Sequence, residues 1–330
     1  MSIPIEPFQH TLRKTVSCCG VGLHSGRTVN LSIKPAPVNN GIRFFRTDMP
    51  AKMHVQAHMD KVVDTQLATT LGNGHFKVST TEHLMAALQG FGIDNADVEL
   101  DSAEVPIMDG SAEPFFQLLK VTGKMKQNGL RKVLRITRSI HYQDGDKSLT
   151  ISPYNGFKVT GEICFDDTLI KKQRYTFDLS VDRFGEEIAR ARTFGYVEQV
   201  EELWANGLAL GSSLENVIAI HWNRKSVLNE DGLRYHDEFI RHKVLDLLGD
   251  LALLGCPVLG HVESYKAGHA QHLGLMQAIA ASPNCWEVVV MKKNGSHAVL
   301  NKIAARSQSA SNMVMPFFNS KPLAAAVSAA

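Results

Sequence analysis

The sequence predicts an α+β fold built from two similar halves, and three observations support this. Each half runs through several strands, a helix, a strand, a loop and a second helix. The first helix of each half carries a histidine, His83 in one and His242 in the other. Both helices are followed by glycines, which commonly end helices, before the next strand begins. The shared order indicates a duplicated β-rich unit.

The first half is predicted to be mainly short strands that lead into a helix. Strands are predicted at two places within 8–35 and then over 42–47, 53–58, 64–71 and 95–100. Thr81, or a hydroxyl residue just before it, can cap a helix over 82–89, because its side-chain oxygen can accept from a free amide of the first turn. A second helix is predicted over 111–119.

The second half repeats this pattern and adds an insertion. Strands are predicted over 133–142, 148–154, 156–165, 174–184, 258–265 and 286–291. Helices are predicted over 185–195 and 273–279, and the longest over 237–254. Residues 196–220 are predicted to form a small βαβ-type insertion, with a helix over 197–204 and strands at 208–211 and 217–220.

The domain boundary is predicted within 123–132, a polar segment that contains glycine. We therefore predict an N-terminal domain over 1–126 and a C-terminal domain over 127–305. A tail over 306–330, rich in serine and alanine, is predicted to be loosely ordered.

Composition excludes several classes of protein. With 44% apolar residues and 21% charged residues, the chain has the composition of a soluble globular protein. Its net charge of +2 is too small to indicate binding to nucleic acid, and it has no long run of basic residues. Its five cysteines form no C-x-x-C pair, which favours free thiols in a reducing cytoplasm. No signal peptide is recognisable, and no apolar run reaches the roughly 18 residues of a membrane span. We expect a cytoplasmic monomer that binds no nucleic acid.

The helix over 237–254 carries the most distinctive polar residues of the chain. His242 and Asp246 are four residues apart and therefore share one face, and Asp250 continues that stripe. The rest of the helix is apolar on most sides, so these groups are expected to be buried. Buried ionisable groups need a partner, which is either a metal ion or another side chain. The spacing alone leaves both open.

If the two halves pack face to face, Glu82 and His83 approach His242 and Asp246. Two imidazoles and one carboxylate suit a catalytic Zn²⁺, although non-haem iron uses the same set. Glu82 adjoins one of these ligands and can act as a general base. H-E-x-x-H is absent, which excludes the common zinc-protease helix.

Three further residues each allow a functional and a structural interpretation. His269, in a predicted Gly-His loop, can donate a proton to a leaving amine or be a surface histidine. The Thr193 hydroxyl can stabilise an oxyanion or cap a helix end. Lys243 can reach a substrate phosphate or be exposed. The apolar insertion over 196–220 is either ordinary core or a groove for lipid.

Seven motifs resemble the UDP-3-O-acyl-N-acetylglucosamine deacetylases, which are zinc enzymes of lipid A biosynthesis in Gram-negative bacteria. The resemblance extends over about residues 3–300 and the motifs occur in the family's order. They are GVGLHSG, STTEHLMAAL, PIMDGSAEPF, ARTFG, VLNEDGLR, EFIRHKVLDLLGDL and YKAGHA.

The resemblance implies two domains of β-α-α-β topology packed as a sandwich, with the zinc site between them. It also implies hydrolysis of the N-acetyl group of UDP-3-O-[(3R)-3-hydroxyacyl]-N-acetylglucosamine to the amine and acetate, the committed step of lipid A biosynthesis. The implied roles are zinc ligands at His83, His242 and Asp246, general base at Glu82, protonated acid at His269, its orienting carboxylate at Asp250, oxyanion stabiliser at Thr193 and a lysine near the substrate at Lys243.

The resemblance also implies substrate contacts. They are His24, Lys147 and Lys266 at the nucleotide end, Phe165 beside it, Phe194 at the site, and Val197, Val200 and Leu214 along a hydrophobic passage for the acyl chain. Two other classes of function stay open. One is an acyl-thioester enzyme, such as a β-hydroxyacyl dehydratase, that uses a histidine without metal. The other is a nucleotide-sugar-binding module without catalysis.

Overall fold

The computed structural model describes residues 6–49 and 53–291, together with the backbone of 297–299. The predicted tail, 306–330, lies outside the described residues and stays a prediction. Within the described residues, no helix combines the length and the apolar character needed to cross a lipid bilayer.

The first half of the chain forms short strands, with two helices towards its end. In chain order its elements are β1 (Phe8–Leu12), β2 (Val16–Val21), β3 (Thr28–Pro35), β4 (Ile42–Arg46), β5 (His54–Gln56), β6 (Val62–Asp64), β7 (Thr70–Asn73), β8 (Phe76–Val78), α1 (Glu82–Phe91), β9 (Ala96–Leu100), α2 (Glu113–Thr122) and β10 (Lys124–Leu130). The main sheet has the order β2-β3-β9-β4-β5, and β6, β7 and β8 form a separate sheet.

The second half contains a larger sheet and the insertion. Its elements are β11 (Lys132–Ile136), β12 (Ile140–Asp144), β13 (Lys147–Ser152), β14 (Phe157–Cys164), β15 (Lys172–Asp178), α3 (Val181–Arg183), β16 (Phe194–Tyr196), α4 (Val200–Ala205), β17 (Ile218–Ile220), α5 (Glu238–Leu251), β18 (Val258–Tyr265), α6 (His269–Ala281), β19 (Trp286–Met291) and β20 (His297–Val299). Its sheet has the order β12-β13-β18-β11-β19-β20, with β14 also paired to β18 and β15 paired to β14.

The central strands of the two sheets have equivalent neighbours, which confirms the prediction of two similar halves. In the first half, β9 is parallel to β4 and antiparallel to β3. In the second half, β18 is parallel to β14 and antiparallel to β13. Each central strand lies between two helices in the chain, so α1 corresponds to α5 and α2 corresponds to α6. The predicted βαβ-type insertion is also confirmed, because β16 and β17 are parallel and flank α4.

The two corresponding helices α1 and α5 pack directly against each other and join the halves. Both are buried along nearly their whole length. Gly249 in α5 permits a close approach, because a Cβ atom built there would collide with the carbonyl oxygen of Glu82. Any side chain at position 249 would therefore push α5 away from the start of α1.

Glycines end both helices as the sequence predicts. Gly92, with φ 81°, follows α1, and its N–H donates to the carbonyl oxygens of Leu88 and Gln89. After α5 a 3₁₀ turn continues to Gly255, which has φ 77°. This left-handed conformation costs glycine little, whereas a Cβ atom makes it unfavourable.

The predicted boundary segment, 123–132, consists largely of the strand β10. This strand pairs with β1. Residues 8–35 therefore contain three strands, β1, β2 and β3, and the prediction of two strands there is wrong. The division at 126 stays a prediction. The single strand predicted over 133–142 is also wrong, since β11 and β12 are separate. The amides of Thr137 and Arg138 instead donate to the carbonyl oxygen of Cys285, which interrupts the ladder.

Three further predicted elements are wrong in part. The strand over 174–184 ends at Asp178, because the Ser180 hydroxyl accepts from the Arg183 amide and starts a helical turn. The helix over 185–195 is reduced to a π-type turn, Phe184–Ile188. The strand at 208–211 is a turn, because Ala209 has φ 55°.

Candidate active site

Six of the predicted side chains lie in one largely buried cluster where α1, α5 and α6 meet. Glu82 and His83 begin α1, His242, Asp246 and Asp250 follow one face of α5, and His269 is the first residue of α6. The prediction that His269 lies in a loop is therefore wrong. The face-to-face packing expected from the sequence is what brings these residues together.

The three predicted metal ligands converge on one point. One nitrogen or oxygen atom from each of His83, His242 and Asp246 lies within 4.8 Å of the other two. Oδ1 of Asp246 is 3.5 Å from Nε2 of His83 and 3.4 Å from Nε2 of His242. The two imidazole rings meet edge to face, with centroids 5.0 Å apart.

The electronic state of these groups fits a metal ion. Nδ1 of His242 donates to the carbonyl oxygen of Ala191 at 3.0 Å, which leaves the lone pair of Nε2 directed into the site. Burial lowers the pKa of His242 to about 3, although the Asp246 carboxylate opposes this, so the imidazole is neutral at neutral pH. Neutral imidazole and carboxylate are the forms that bind Zn²⁺.

A second group in the described residues, Asp250, His269 and His272, has similar spacing. Here Nδ1 of each histidine donates to Oδ2 of Asp250 at 2.7 Å. These hydrogen bonds already satisfy the carboxylate oxygen and both Nδ1 atoms. The first group therefore fits a metal better, while the second is a hydrogen-bonded pair of histidines around a carboxylate.

Asp250 determines the charge of His269. Burial alone would lower the pKa of His269, but the charge and hydrogen bond of Asp250 raise it to about 9. His269 is therefore protonated at neutral pH. Since Nδ1 donates to Asp250, Nε2 carries the proton that can be transferred, and it lies 3.8 Å from Oε1 of Glu82.

Glu82 faces this imidazolium from the start of α1. Burial raises the pKa of its carboxyl above the ordinary value, against the positive charge of His269. A carboxylate of raised pKa is a stronger base. A buried base beside a buried acid, with pKa values shifted by their surroundings, is the arrangement that general acid–base catalysis requires.

Thr193, Phe194 and Lys243 border the cluster. The Thr193 amide donates to the Gly110 carbonyl at 2.8 Å, which fixes this segment to the first half of the chain. The Phe194 ring lies against His242, with centroids 6.3 Å apart. Nζ of Lys243 is 2.9 Å from Oδ2 of Asp246 and 5.5 Å from the centre of the Phe194 ring. Lys243 is therefore paired with a predicted metal ligand and is not a fully exposed lysine.

An aromatic and aliphatic surface extends from Phe194 into the insertion. Phe165 contacts Phe194, with ring centroids 6.1 Å apart. Val197 and Val200 lie half-buried at the start of the insertion helix, and Leu214 is 48% exposed. These residues suit contact with a hydrocarbon chain.

The predicted nucleotide contacts lie in two places. Lys147 and Lys266 are close together, because Ser148 pairs with Tyr265 in adjacent strands, and Nζ of Lys266 is 2.8 Å from Oδ2 of Asp146. His24 instead lies against the insertion, where its carbonyl oxygen accepts from the Leu210 amide at 3.1 Å.

Two residues of the cluster, Thr69 and His272, are not predicted from the sequence. The Thr69 hydroxyl donates to Oδ1 of Asp250 at 2.6 Å, and His272 donates to the other oxygen. His272 could have been noticed one helical turn after His269, had the start of α6 been placed correctly. Thr69 lies in an unremarkable threonine pair and gave no signal.

A cavity of about 720 Å³ lies elsewhere, lined among others by Met85 and Leu88 of α1, by Ala252 just after α5 and by Val258 of β18. None of the six clustered side chains lines this cavity. Cavity size therefore does not identify the chemical site, which is recognised by its converging ligand atoms and shifted pKa values.

Comparison with known proteins places the site in context. The model of the UDP-3-O-acyl N-acetylglycosamine deacetylase family matches residues 9–281. A relative from Acidithiobacillus ferrooxidans is 48% identical over 283 residues, which cover 85% of this chain and 92% of the relative. A relative from Myxococcus xanthus is 47% identical, and the match covers 88% of this chain and 92% of the relative. A relative from Pseudomonas entomophila is also 47% identical, and the match covers 85% of this chain and 93% of the relative. All three are named UDP-3-O-acyl-N-acetylglucosamine deacetylase.

Proposed function

Because this chain belongs to the UDP-3-O-acyl N-acetylglycosamine deacetylase family, we propose that it hydrolyses the N-acetyl group of UDP-3-O-[(3R)-3-hydroxyacyl]-N-acetylglucosamine. The products are the free amine and acetate, in the committed step of lipid A biosynthesis. The observation that carries the proposal is the convergence of a candidate metal triad, a buried base and a protonated histidine from both halves of the chain.

The proposed metal ligands are His83, His242 and Asp246, and the proposed ion is Zn²⁺. Bound there, Zn²⁺ supplies Lewis-acid polarisation of the amide carbonyl and lowers the pKa of water to about 7. Two imidazoles and a carboxylate leave iron as an alternative ion, which metal analysis of the purified protein distinguishes.

The chain's own residues then divide the proton transfers. Glu82 removes a proton from the attacking water. His269 donates its Nε2 proton to the nitrogen that leaves with the sugar, while the hydrogen bond to Asp250 holds its ring in place. The Thr193 hydroxyl stabilises the negative charge that develops on the carbonyl oxygen. Lys243 adds positive charge beside the site and orients Asp246.

We assign the remaining predicted residues to substrate binding. Phe194, Val197, Val200 and Leu214 are assigned to a hydrophobic passage for the acyl chain. Lys147 and Lys266 offer positive charge for the diphosphate, with Phe165 towards the nucleotide. His24, whose carbonyl oxygen bonds to the insertion, is assigned to the nucleotide end as the resemblance implies.

We also propose that the enzyme acts as a monomer in the cytoplasm. All six clustered side chains come from one chain, so the site needs no partner subunit. The five cysteines are free thiols, which suits a reducing compartment.

Acetate release tests the proposed function directly. We expect purified protein to release acetate from UDP-3-O-acyl-N-acetylglucosamine, a chelator to abolish the release, and added Zn²⁺ to restore it. A metal-free thioester enzyme would be insensitive to the chelator. A binding module would bind the substrate and release no acetate with or without metal.

The alkaline limb of the pH profile is expected to depend on Asp250. In the parent enzyme kcat/KM should fall as pH rises through about 9, since His269 then loses its proton. In Asp250→Asn the carboxylate charge that raises the pKa of His269 is absent while burial remains, so the falling limb should move to lower pH. Measuring kcat/KM against pH in both proteins checks this, and an unmoved limb would assign the titration to another group.

A further inference from the structure

Thr69 directs all of its hydrogen-bonding groups to the start of α1 and the catalytic cluster. Its amide donates to Oε2 of Glu82 at 3.1 Å, and its hydroxyl donates to Oδ1 of Asp250 at 2.6 Å. The same hydroxyl oxygen lies 3.2 Å from Nδ1 of His269 and can accept from it. Its carbonyl oxygen accepts from both the amide and the hydroxyl of Thr81, the residue before α1.

The backbone around Thr69 is shaped for this role. The extended conformation predicted over 64–71 is interrupted, because β6 ends at Asp64 and Leu67 has φ 60°. β7 then begins at Thr70, which leaves Thr69 outside the strand ladder with its amide and carbonyl free to bond the start of α1. Thr69 is only 2% exposed, so water does not compete for its hydrogen bonds.

We propose that Thr69 is a positioning residue that holds the base Glu82 and the acid pair Asp250–His269 at a fixed separation. The inference rests on the proposed function, in which these groups act on one amide. Glu82 belongs to the first half of the chain, and Asp250 and His269 belong to the second. Thr69 bonds directly to the base and to both members of the acid pair, so it sets their geometry across the junction between the halves.

The hydrogen bond from the Thr69 hydroxyl to Asp250 is the strongest support for this positioning role. Both histidines bond to Oδ2, whereas Oδ1 receives the Thr69 hydroxyl. Without that donor, the buried Oδ1 loses a strong hydrogen bond, and the carboxylate, still held through Oδ2 by the two histidines, can turn about that oxygen. Rotation of Asp250 would displace the His269 ring and its transferable proton, while the metal triad and substrate contacts stay in place.

Thr69→Val tests the inference, because valine keeps the shape of the side chain and removes the hydroxyl. We expect kcat for acetate release to fall about 10- to 100-fold, the scale of a hydrogen bond to a charged group, with KM and zinc content at parental values. Thr69→Ser keeps the hydroxyl and should recover most of kcat. The matched control is Thr70→Val at the next position, which removes a hydroxyl outside the cluster and should leave kcat unchanged.

Parental kcat in Thr69→Val would overturn the inference, and so would a serine variant as slow as the valine variant, because the hydroxyl would then not matter. If Thr69→Val does not fold, Thr69→Ala is read in the same way, with the same loss of kcat expected and parental kcat again contradicting the inference. Absence of acetate release from the parent protein would instead refute the proposed function, so the two failures are distinguishable.

Discussion

Replacing Glu82 with glutamine is expected to lower kcat by about 10²- to 10⁴-fold while a full equivalent of zinc stays bound. Glutamine keeps the volume of the side chain and can still accept the hydrogen bond from the Thr69 amide. It cannot take a proton from water, so only the base is lost. Acetate release and metal analysis of the same preparation measure the two quantities.

Glu113→Gln is the matched control for this variant, because Glu113 begins α2 as Glu82 begins α1. It should leave both kcat and zinc content at parental values. Loss of zinc from Glu82→Gln would identify Glu82 as a ligand, and retention of full activity would show that another group is the base.

Replacing His242 with alanine is expected to remove both the metal and the activity. His242 supplies one of the three converging candidate ligand atoms. In the part of the chain that the structure describes, its Nε2 atom faces Asp246 and His83 and has no other role. Two remaining ligands from different helices should not retain Zn²⁺ through dialysis. Zinc content per chain after dialysis is the primary measurement, with acetate release beside it.

The exposed His236 provides the control, since its side chain is 89% exposed shortly before the same helix. His236→Ala should keep a full equivalent of zinc. A full equivalent in His242→Ala would refute the ligand set, whatever happened to activity.

The parts of the site that could be predicted from the sequence are those carried by helical periodicity. His242, Asp246 and Asp250 share a face because of their four-residue spacing, and the structure confirms that all three are buried on that face. The correspondence of His83 and His242 followed from the repeated order of elements. Periodicity also placed α1 and α5 nearly at their observed bounds.

The rest depends on contacts between residues distant in sequence. Thr69 joins the cluster only because Leu67 turns the chain and Thr81 binds the Thr69 carbonyl, and neither contact has a local pattern. β11 and β12 separate because of hydrogen bonds to Cys285, far along the chain. The sequence predicts a loop at His269 because the glycine before it suggests a turn, whereas Gly268 is the N-cap residue directly before α6.

The close backbone contact at Gly249 has a consequence for the order of events during synthesis. It brings together the proposed ligands, which the ribosome makes at very different times, since His83 is translated long before α5 exists. On the proposed assignments, a nascent first half presents one ligand of the three and no histidine acid, so we expect it neither to retain zinc nor to cleave amides. We therefore expect metal loading to wait until α5 has emerged and docked, and an interrupted chain to be inert instead of a partly active hydrolase.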